Sequence, residues 1–410
     1  MNADNRSKPH VKLPLEASIT LLNHGIYQFG NALSTIFVNL YLWRLTNDLW
    51  INGAYNLLVL ISAPIATVFV GKLAKQKDRL LAYRLGIFLT AIFYLCILLA
   101  KEAMVQYFVV FAILRGVSNA FYWLGHFTMI YDVTNNENRH RYLGFNLIVT
   151  NAAMLAGPSV SGLMIGMFDG LQGYTIIYTL AFVMFLVSTL ISLKMKPVPA
   201  QHKTYYLKYT WQMIRKYPQF GRSLFGWFIL GFPQGIMSYI PAILLYQAIP
   251  KESFVGYINV GFTALTMIAS YGMAKTATEE RTKLYLLIAA WAVVLSALPL
   301  TLGMTLWTVI LFMVIYSLSK PLQTNSYTAH YYKMSSALPL KENFKIEAVV
   351  TRETSINMGR ASGIVVFMLF SSQMDGAFMA WVLVFAMATQ LFINRLIFNS
   401  RDHAIQKTAS

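Results

Sequence analysis

Twelve apolar stretches of roughly membrane-spanning length, separated by polar gaps, run through this chain. They cover residues 15–43, 51–71, 80–100, 104–131, 142–166, 174–193, 223–246, 253–273, 284–302, 305–327, 354–372 and 377–397. A helix needs about 20 apolar residues to cross the bilayer core. Because apolar residues follow one another without a period of two, the pattern predicts transmembrane α-helices and not a β-barrel.

Lysine and arginine are distributed unevenly between the gaps. Of 33 such residues, 28 lie in the two tails, in every second gap or in the parts of stretches next to them (Arg84, Lys320 and Arg395), whereas the remaining gaps hold only Arg44, Lys101 and Lys251. Basic residues are enriched in the cytoplasmic loops of membrane proteins. The distribution therefore predicts two cytoplasmic termini and an even number of spans. It also accounts for the net charge of +17 without a nucleic-acid partner.

The longest gap, residues 194–222, divides the stretches into six and six. It is polar, with Pro197, Pro199 and seven basic residues. We therefore predict an all-α integral membrane protein of 12 transmembrane helices in two six-helix bundles, 1–193 and 223–410, joined by a cytoplasmic linker, a common plan of secondary transporters. The second-longest gap, 328–353, carries Lys333, Lys341, Lys345 and Glu347. It is interpreted as a solvated loop touching lipid headgroups.

Composition agrees with a membrane protein and gives no sign of an enzyme. Hydrophobic residues make up 57% of the chain and charged residues 12%, about half the roughly 25% of globular proteins. The lone Cys96 allows neither an intrachain disulfide nor a cysteine metal site. Phosphate-binding loops and common hydrolase motifs are absent from the sequence. We expect no catalytic residues, no metal and no cofactor.

The gap after the second stretch carries a recognisable motif. It reads Gly71-Lys72-Leu73-Ala74-Lys75-Gln76-Lys77-Asp78-Arg79. This resembles the signature Gly-x-x-x-Asp-(Arg/Lys)-x-Gly-(Arg/Lys) of the major facilitator superfamily, with Lys75 in place of the aspartate that helps to close the inner gate. The resemblance implies a gate contact between Arg79 and Asp132, at the cytoplasmic end of the fourth stretch, with Asp78 standing in for the lost aspartate.

The fifth stretch contains Gly157-Pro158-Ser159-Val160-Ser161-Gly162. This looks like the Gly-Pro-x-x-Gly-Gly element of antiporters in the same superfamily, and a Gly-Pro pair weakens a helix and allows close approach of a neighbour. Gly157 and Pro158 are therefore candidate gating residues. Other runs, such as Asn357-Met358-Gly359-Arg360, are similar to a bacterial branch of the superfamily. We accordingly expect a multi-pass protein of the bacterial cytoplasmic membrane.

The resemblance implies that the first, fourth, seventh and tenth helices line a central cavity, and each carries polar residues there. Those of the fourth stretch are spaced four, three and four apart, on one helical face. The candidate substrate-binding residues are Arg115, Asn119, Tyr122 and His126 from the fourth stretch, His24, Tyr27 and Asn31 from the first, Gln234 from the seventh, and Tyr316, Lys320 and Gln323 from the tenth.

Cations dominate this candidate cavity. Arg115 is expected near the midplane, as an anion partner or as a brace for helix carbonyls. Lys320 is expected nearer the cytoplasmic side, where it can snorkel, and Arg360 in the inner third of the eleventh stretch, as a gate contact. Acidic residues fall near the ends of stretches or in loops. Proton coupling would then use His24 or His126, because histidine titrates near neutral pH.

These features favour a monomeric secondary transporter that moves a small anionic or amphipathic solute by rocker-switch alternating access. Coupling to a proton or to an anion is left open. One alternative is a multidrug or lipid exporter that uses the aromatic residues of the cavity. Another is a transport-incompetent membrane sensor or scaffold, suggested by the altered loop motif.

Overall fold

Long helices make up the described structure. The computed structural model describes residues 13–134, 138–197, 204–276, 281–336, 338, 344–371 and 376–397. Both termini, and with them the prediction that they are cytoplasmic, lie outside these residues, as does Lys341. The helices are α1 (Leu15–Thr46), α2 (Leu49–Gln76), α3 (Arg79–Ala100), α4 (Phe108–Val133), α5 (Arg139–Gly166), α6 (Gln172–Leu193), α7 (Leu207–Lys216), α8 (Pro218–Ile236), α9 (Ile240–Ala248), α10 (Glu252–Thr276), α11 (Thr282–Ala297), α12 (Leu306–Ser336), α13 (Lys345–Ser371), α14 (Gly376–Ala388) and α15 (Phe392–Ile397).

Within the described part of the chain, ten segments are long and apolar enough to cross a membrane. The α8–α9 pair forms one of them, from Pro218 to Ala248, and α14 with α15 supplies another. The long helices α1 and α13 are not among the ten. Both carry polar or charged side chains well inside the helix, such as His24 in α1 and Arg360 in α13. Twelve spans therefore remain a prediction.

Helix packing follows the two predicted halves. In the first, α1 packs on α5 and α6, and α3 packs on α4 and α6. In the second, α8 packs on α13, and α12 packs on α10 and α11. Two further pairs, α2 with α13 and α5 with α10, join the halves. We call the side where α2 ends and α13 begins the inner side, predicted to be cytoplasmic, and the opposite side the outer side.

Glycines allow α8 and α13 to pack at very short range. A Cβ atom added at Gly231 or Gly235 would overlap the backbone of α13, and one added at Gly359 or Gly363 would overlap the backbone of α8. Each helix thus presents a Gly-x-x-x-Gly pair, the small-residue pattern of closely packed membrane helices. This contact fixes the position of α13, which carries the charged residues Glu347, Arg352 and Glu353.

The second-longest gap is shorter than the sequence predicts. Helix α12 continues to Ser336, and α13 begins at Lys345, nine residues before the apolar stretch at 354. Glu347 lies in the first turn of α13 and is fully buried. The interpretation of residues 328–353 as a solvated loop is therefore wrong for Glu347, because this carboxylate has a buried cation as its partner.

Candidate functional site

A polar cluster from α8 and α13 lies near the middle of the membrane-spanning height. The guanidinium of Arg360 donates to Oε1 of Gln234, at 2.9 Å from Nη2, and to Oδ1 of Asn357, at 3.0 Å from Nη1. Arg360 is the 16th residue of the 27 in α13. It therefore lies at the middle of α13, which begins nine residues before the apolar stretch 354–372, and its gating role stays a prediction.

Lys320 of α12 belongs to the same cluster. It is the 15th of 31 residues in α12. Its side chain is exposed, whereas the exposed Leu311 and Leu318 lie about half a turn away, on the opposite face of the helix. Arg360 influences both Lys320 and Tyr316 electrostatically. Lys320 therefore faces an accessible space inside the protein and not the lipid.

The charges of this cluster are not compensated by carboxylates. Within the described part of the chain, neither Lys320 nor Arg360 forms an ion pair, and the partners of Arg360 are neutral amides. Glu353 lies about two turns before Arg360 in α13 and acts on it electrostatically. Its carboxylate is itself paired with Arg352, at 2.6 Å. Gln323, one helical turn from Lys320, is buried with its amide nitrogen unpaired. The cluster therefore offers hydrogen-bond donors and net positive charge.

Arg115 is a second buried cation, and it lies in the first half. Its Nη2 donates to Oδ1 of Asn31 at 2.6 Å, and its guanidinium lies over the rings of Phe93 and Tyr94, at 5.4 and 5.8 Å. Nη1 has no partner. Arg115 is the eighth of 26 residues in α4, about 10 Å from the outer end of that helix, while its partner Asn31 is the 17th of 32 residues in α1. Asn119, one turn further, is half-buried.

Four other predicted binding residues are packed inside the first half. His24, Tyr27, Tyr122 and His126 are each exposed by 1% or less. Their rings stack, with centroids 3.8 Å apart for the two histidines and 3.3 Å for the two tyrosines. Nδ1 of His24 lies 2.7 Å from the Tyr122 hydroxyl, and Nε2 lies 3.1 Å from that of Thr150 in α5. These four side chains are therefore buried within the first half, and their roles in substrate binding or proton coupling stay predictions.

An ion pair closes the inner side between the two halves. Lys75 at the end of α2 and Glu347 at the start of α13 form a salt bridge, with 5% and 0% of their side chains exposed. The backbone N–H of Tyr206 also donates to Glu347 Oε1, at 2.8 Å, and the Lys75 ammonium lies 5.0 Å from the Tyr206 ring centroid. We call Lys75, Glu347 and Tyr206 the inner latch. Sequence reasoning missed it, because Glu347 was placed in a loop.

The predicted inner gate residues surround this latch. Arg79 forms an ion pair with Asp132 of α4, as the loop motif implied, although its gating role stays a prediction. Burial raises the pKa of Asp132, and the nearby Arg79 opposes this shift. Asp78 caps α3 by accepting from Leu80 N–H at 2.9 Å, so Lys75 and not Asp78 supplies the contact to α13. Gly71 lies where a Cβ would approach the Tyr205 hydroxyl of the linker to 2.8 Å.

The outer side has its own ion pair between the halves. Arg44 at the end of α1 donates to Glu252 Oε1 of α10 at 2.7 Å, and the Tyr174 hydroxyl of α6 donates to the same oxygen at 3.2 Å. We call these three residues the outer latch. The sequence contains no motif that predicts the outer latch, and Arg44 stands out there only as one of the three basic residues of the outer gaps.

The Gly-Pro element of α5 packs on both halves. A Cβ added at Gly157 would approach the α1 backbone at Ala32 to 2.6 Å, and one added at Gly162 would lie 2.9 Å from the carbonyl of Glu252. The carbonyl of Pro158 lies against Gly256 of α10. The element therefore lies where the two halves meet beside the outer latch.

The sequence profile described as Major Facilitator Superfamily matches residues 20–338. The chain belongs to the major facilitator superfamily. It is 26% identical over 345 residues to the uncharacterized protein YqgE of Bacillus subtilis (strain 168), which covers 84% of this chain and 80% of that protein. It is also 38% identical over 154 residues to an uncharacterized protein in the sodM 3' region of Geobacillus stearothermophilus, with 38% of this chain and 72% of that protein covered.

Solved structures of transporters share the fold. A mutant of the nucleoside transporter NupG superposes with a TM-score of 0.72 at 12% identity, over 94% of this chain and all of that chain. A bacterial homologue of the iron transporter ferroportin, in an outward-facing state with soaked iron, superposes with a TM-score of 0.66 at 12% identity, over 94% of this chain and 98% of that one.

Membership of the major facilitator superfamily makes this chain a membrane transporter. It is a multi-pass protein of the bacterial cytoplasmic membrane, in agreement with its apolar helices. At the position where the superfamily's loop motif usually has an aspartate, this chain has Lys75, and Glu347 of α13 is its carboxylate partner.

Proposed function

We propose that this protein is a secondary active transporter for a small anionic, or anion-bearing amphipathic, solute. The observation that carries the proposal is the cluster of Lys320, Arg360 and Gln234 near mid-height of the second half, which has donors and positive charge but no ion pair in the described residues. Substrate sites of such transporters lie near the bilayer midplane. This placement is the one expected for a substrate contact.

Energetics favour an anion at this position. An arginine or lysine at the centre of a membrane helix costs about 2.5–3.5 kcal/mol on insertion scales. Neutral amide partners return only part of that cost, since an amide oxygen accepts a hydrogen bond from the guanidinium but does not neutralise its charge. An anion bridging Lys320 and Arg360 would recover more. A metal cation such as the iron of the ferroportin homologue is the cargo least compatible with these two charges.

Support for alternating access comes from the two latches. The outer latch joins Arg44 of the first half to Glu252 of the second. The inner latch joins Lys75 to Glu347, again with the cation in the first half and the carboxylate in the second. Opening either side requires its own ion pair to break while the other holds. We propose that residues 1–193 and 223–410 rock about the central cluster, joined by the linker 194–222.

Ligand-induced thermal stabilisation of the purified protein tests the anion site. The probes are carboxylates, phosphates and sulfates, each with a neutral and a cationic analogue of similar size. A ligand at 100 times its dissociation constant stabilises the folded state by about 2.7 kcal/mol. We expect some anions, and not their analogues, to raise the melting temperature. Lys320→Gln and Arg360→Gln should each remove that shift.

Lys196→Gln is the matched control, because Lys196 is an exposed lysine outside the cluster. It should keep the full response to anions. If the neutral analogues stabilise the protein equally, or if Lys320→Gln and Arg360→Gln respond as the parent does, the anion site is refuted.

A further inference from the structure

The short helix α7 lies on the inner side, next to a membrane-spanning segment. It ends at Lys216, and α8 begins at Pro218, so a single residue separates it from a membrane-spanning segment. Tyr206, immediately before α7, contacts Glu347 in the inner latch. The buried side of α7, with Thr210, packs toward α8 and α13. Its other side has no helix packed against it in the described structure.

The open side of α7 combines aromatic rings with positive charge. Lys208, Trp211 and Arg215 are spaced three and four residues apart and therefore share one face. All three are exposed, Trp211 by 60%, and the Arg215 guanidinium lies 5.0 Å from the Trp211 ring centroid. Tyr209 is exposed by 50% nearby. Large aromatic residues this exposed mark an interaction surface when they cluster.

We propose that the Lys208–Trp211–Arg215 face of α7 binds the phosphate group of an anionic phospholipid. Tryptophan and tyrosine prefer the headgroup level of the bilayer, where their rings are apolar and their polar tips are wet. Lysine and arginine next to them attract anionic headgroups. The stacked Trp211 holds Arg215 beside the ring, so that Arg215 and Lys208 flank one phosphate. The height of α7, fixed by its junction with α8, brings this face to the headgroups.

Lipid bound here also acts on the inner latch. Because Tyr206 donates its N–H to Glu347 and leads directly into α7, a headgroup that holds α7 at the surface holds one contact of the latch in place. This consequence rests on the proposed transport function. The binding site itself does not, since lipid binding is measured without any substrate.

Native mass spectrometry of the purified full-length protein tests the site. The protein is titrated with phosphatidylglycerol and, separately, with phosphatidylcholine, and the apparent dissociation constants are compared. The double variant Lys208→Gln/Arg215→Gln should bind phosphatidylglycerol about 30-fold more weakly, because each of the two basic residues near the surface contributes on the order of 1 kcal/mol. Its binding of phosphatidylcholine should not change.

The double variant Lys194→Gln/Lys196→Gln removes the same charge from two exposed lysines at the end of α6. It should bind phosphatidylglycerol within about twofold of the parent, against the loss of about 30-fold expected from two charges at a real site. Equal losses in both double variants would reduce the effect to net charge and overturn the site. Unchanged binding in the α7 variant would also overturn it, as would displacement of the lipid by millimolar inorganic phosphate, which would indicate a site for free phosphate.

Discussion

Replacing Glu347 by glutamine should open the inner side. In the structure, Glu347 is fully buried between Lys75 and the backbone of Tyr206. Glutamine keeps an oxygen that accepts from the Tyr206 N–H, but it removes the charge that balances Lys75. The Lys75 ammonium, with 5% of its side chain exposed, then loses the negative charge of Glu347 while it stays buried.

The size of the effect follows from this burial. Removing one partner of a buried ion pair costs about 3–5 kcal/mol. The cost applies only while the inner side is closed, because opening brings Lys75 into water. Since each 1.4 kcal/mol is a factor of about ten in an equilibrium constant, the ratio of open to closed protein should rise about 100-fold or more.

Alkylation of a buried cysteine measures this ratio. Val350 lies 1% exposed in the contact between α13 and α2, near Gly71, so Val350→Cys on a Cys96→Ala background reports opening of the inner side. The rate of modification by a maleimide should rise strongly with Glu347→Gln. Adding Lys75→Met should bring the rate back toward the parental value, because the unbalanced charge is removed as well.

This reversal is the part of the prediction that a general loss of stability would not produce. If Glu347→Gln leaves the alkylation rate unchanged, the ion pair does not hold the inner side closed. If the added Lys75→Met raises the rate further, the two residues contribute independently and the latch, as described, is refuted.

Two further predictions concern packing and pH. Gly363→Ala should lower the melting temperature, since the added Cβ overlaps the carbonyl of Phe232, whereas Gly261→Ala has open space and should be neutral or slightly stabilising; equal effects would contradict the close packing of α8 on α13. Because burial raises the pKa of Asp132, its contribution to stability is fully present below its ordinary pKa of 3.8 and is lost as the pH rises through the raised value. The melting temperature of the parent, relative to Asp132→Asn, should therefore fall between acidic and neutral pH, and a constant difference would contradict the shift.

Much of the helical architecture could be predicted from the sequence, because apolar length and charge are properties of local segments. The ion pair between Arg79 and Asp132 was also predictable, since the loop motif names both positions. Glu347 was not. Its partner Lys75 lies 272 residues away, and a charged residue in a polar gap gives no local sign of burial.

The candidate site shows the same limit. Periodicity correctly places Arg115, Asn119, Tyr122 and His126 on one face of α4, but it does not show which neighbour covers each turn. The outer part of that face remains partly open at Asn119, whereas Tyr122 and His126 are covered by the rings of α1 and α3. The helix bounds also differ from the predicted ones, because α4 begins four residues after the start of its apolar stretch and α13 begins nine residues before the start of its own.

Uptake by proteoliposomes tests the central proposal most directly. Vesicles containing the purified protein are incubated with a cell extract, and the solutes that they accumulate above protein-free vesicles are identified by mass spectrometry. We predict that the accumulated solutes carry an anionic group, and that Lys320→Gln/Arg360→Gln vesicles lose them while Lys196→Gln vesicles keep them. Accumulation of cationic or neutral solutes, or equal uptake by the Lys320→Gln/Arg360→Gln vesicles, would contradict an anion transporter built on this cluster.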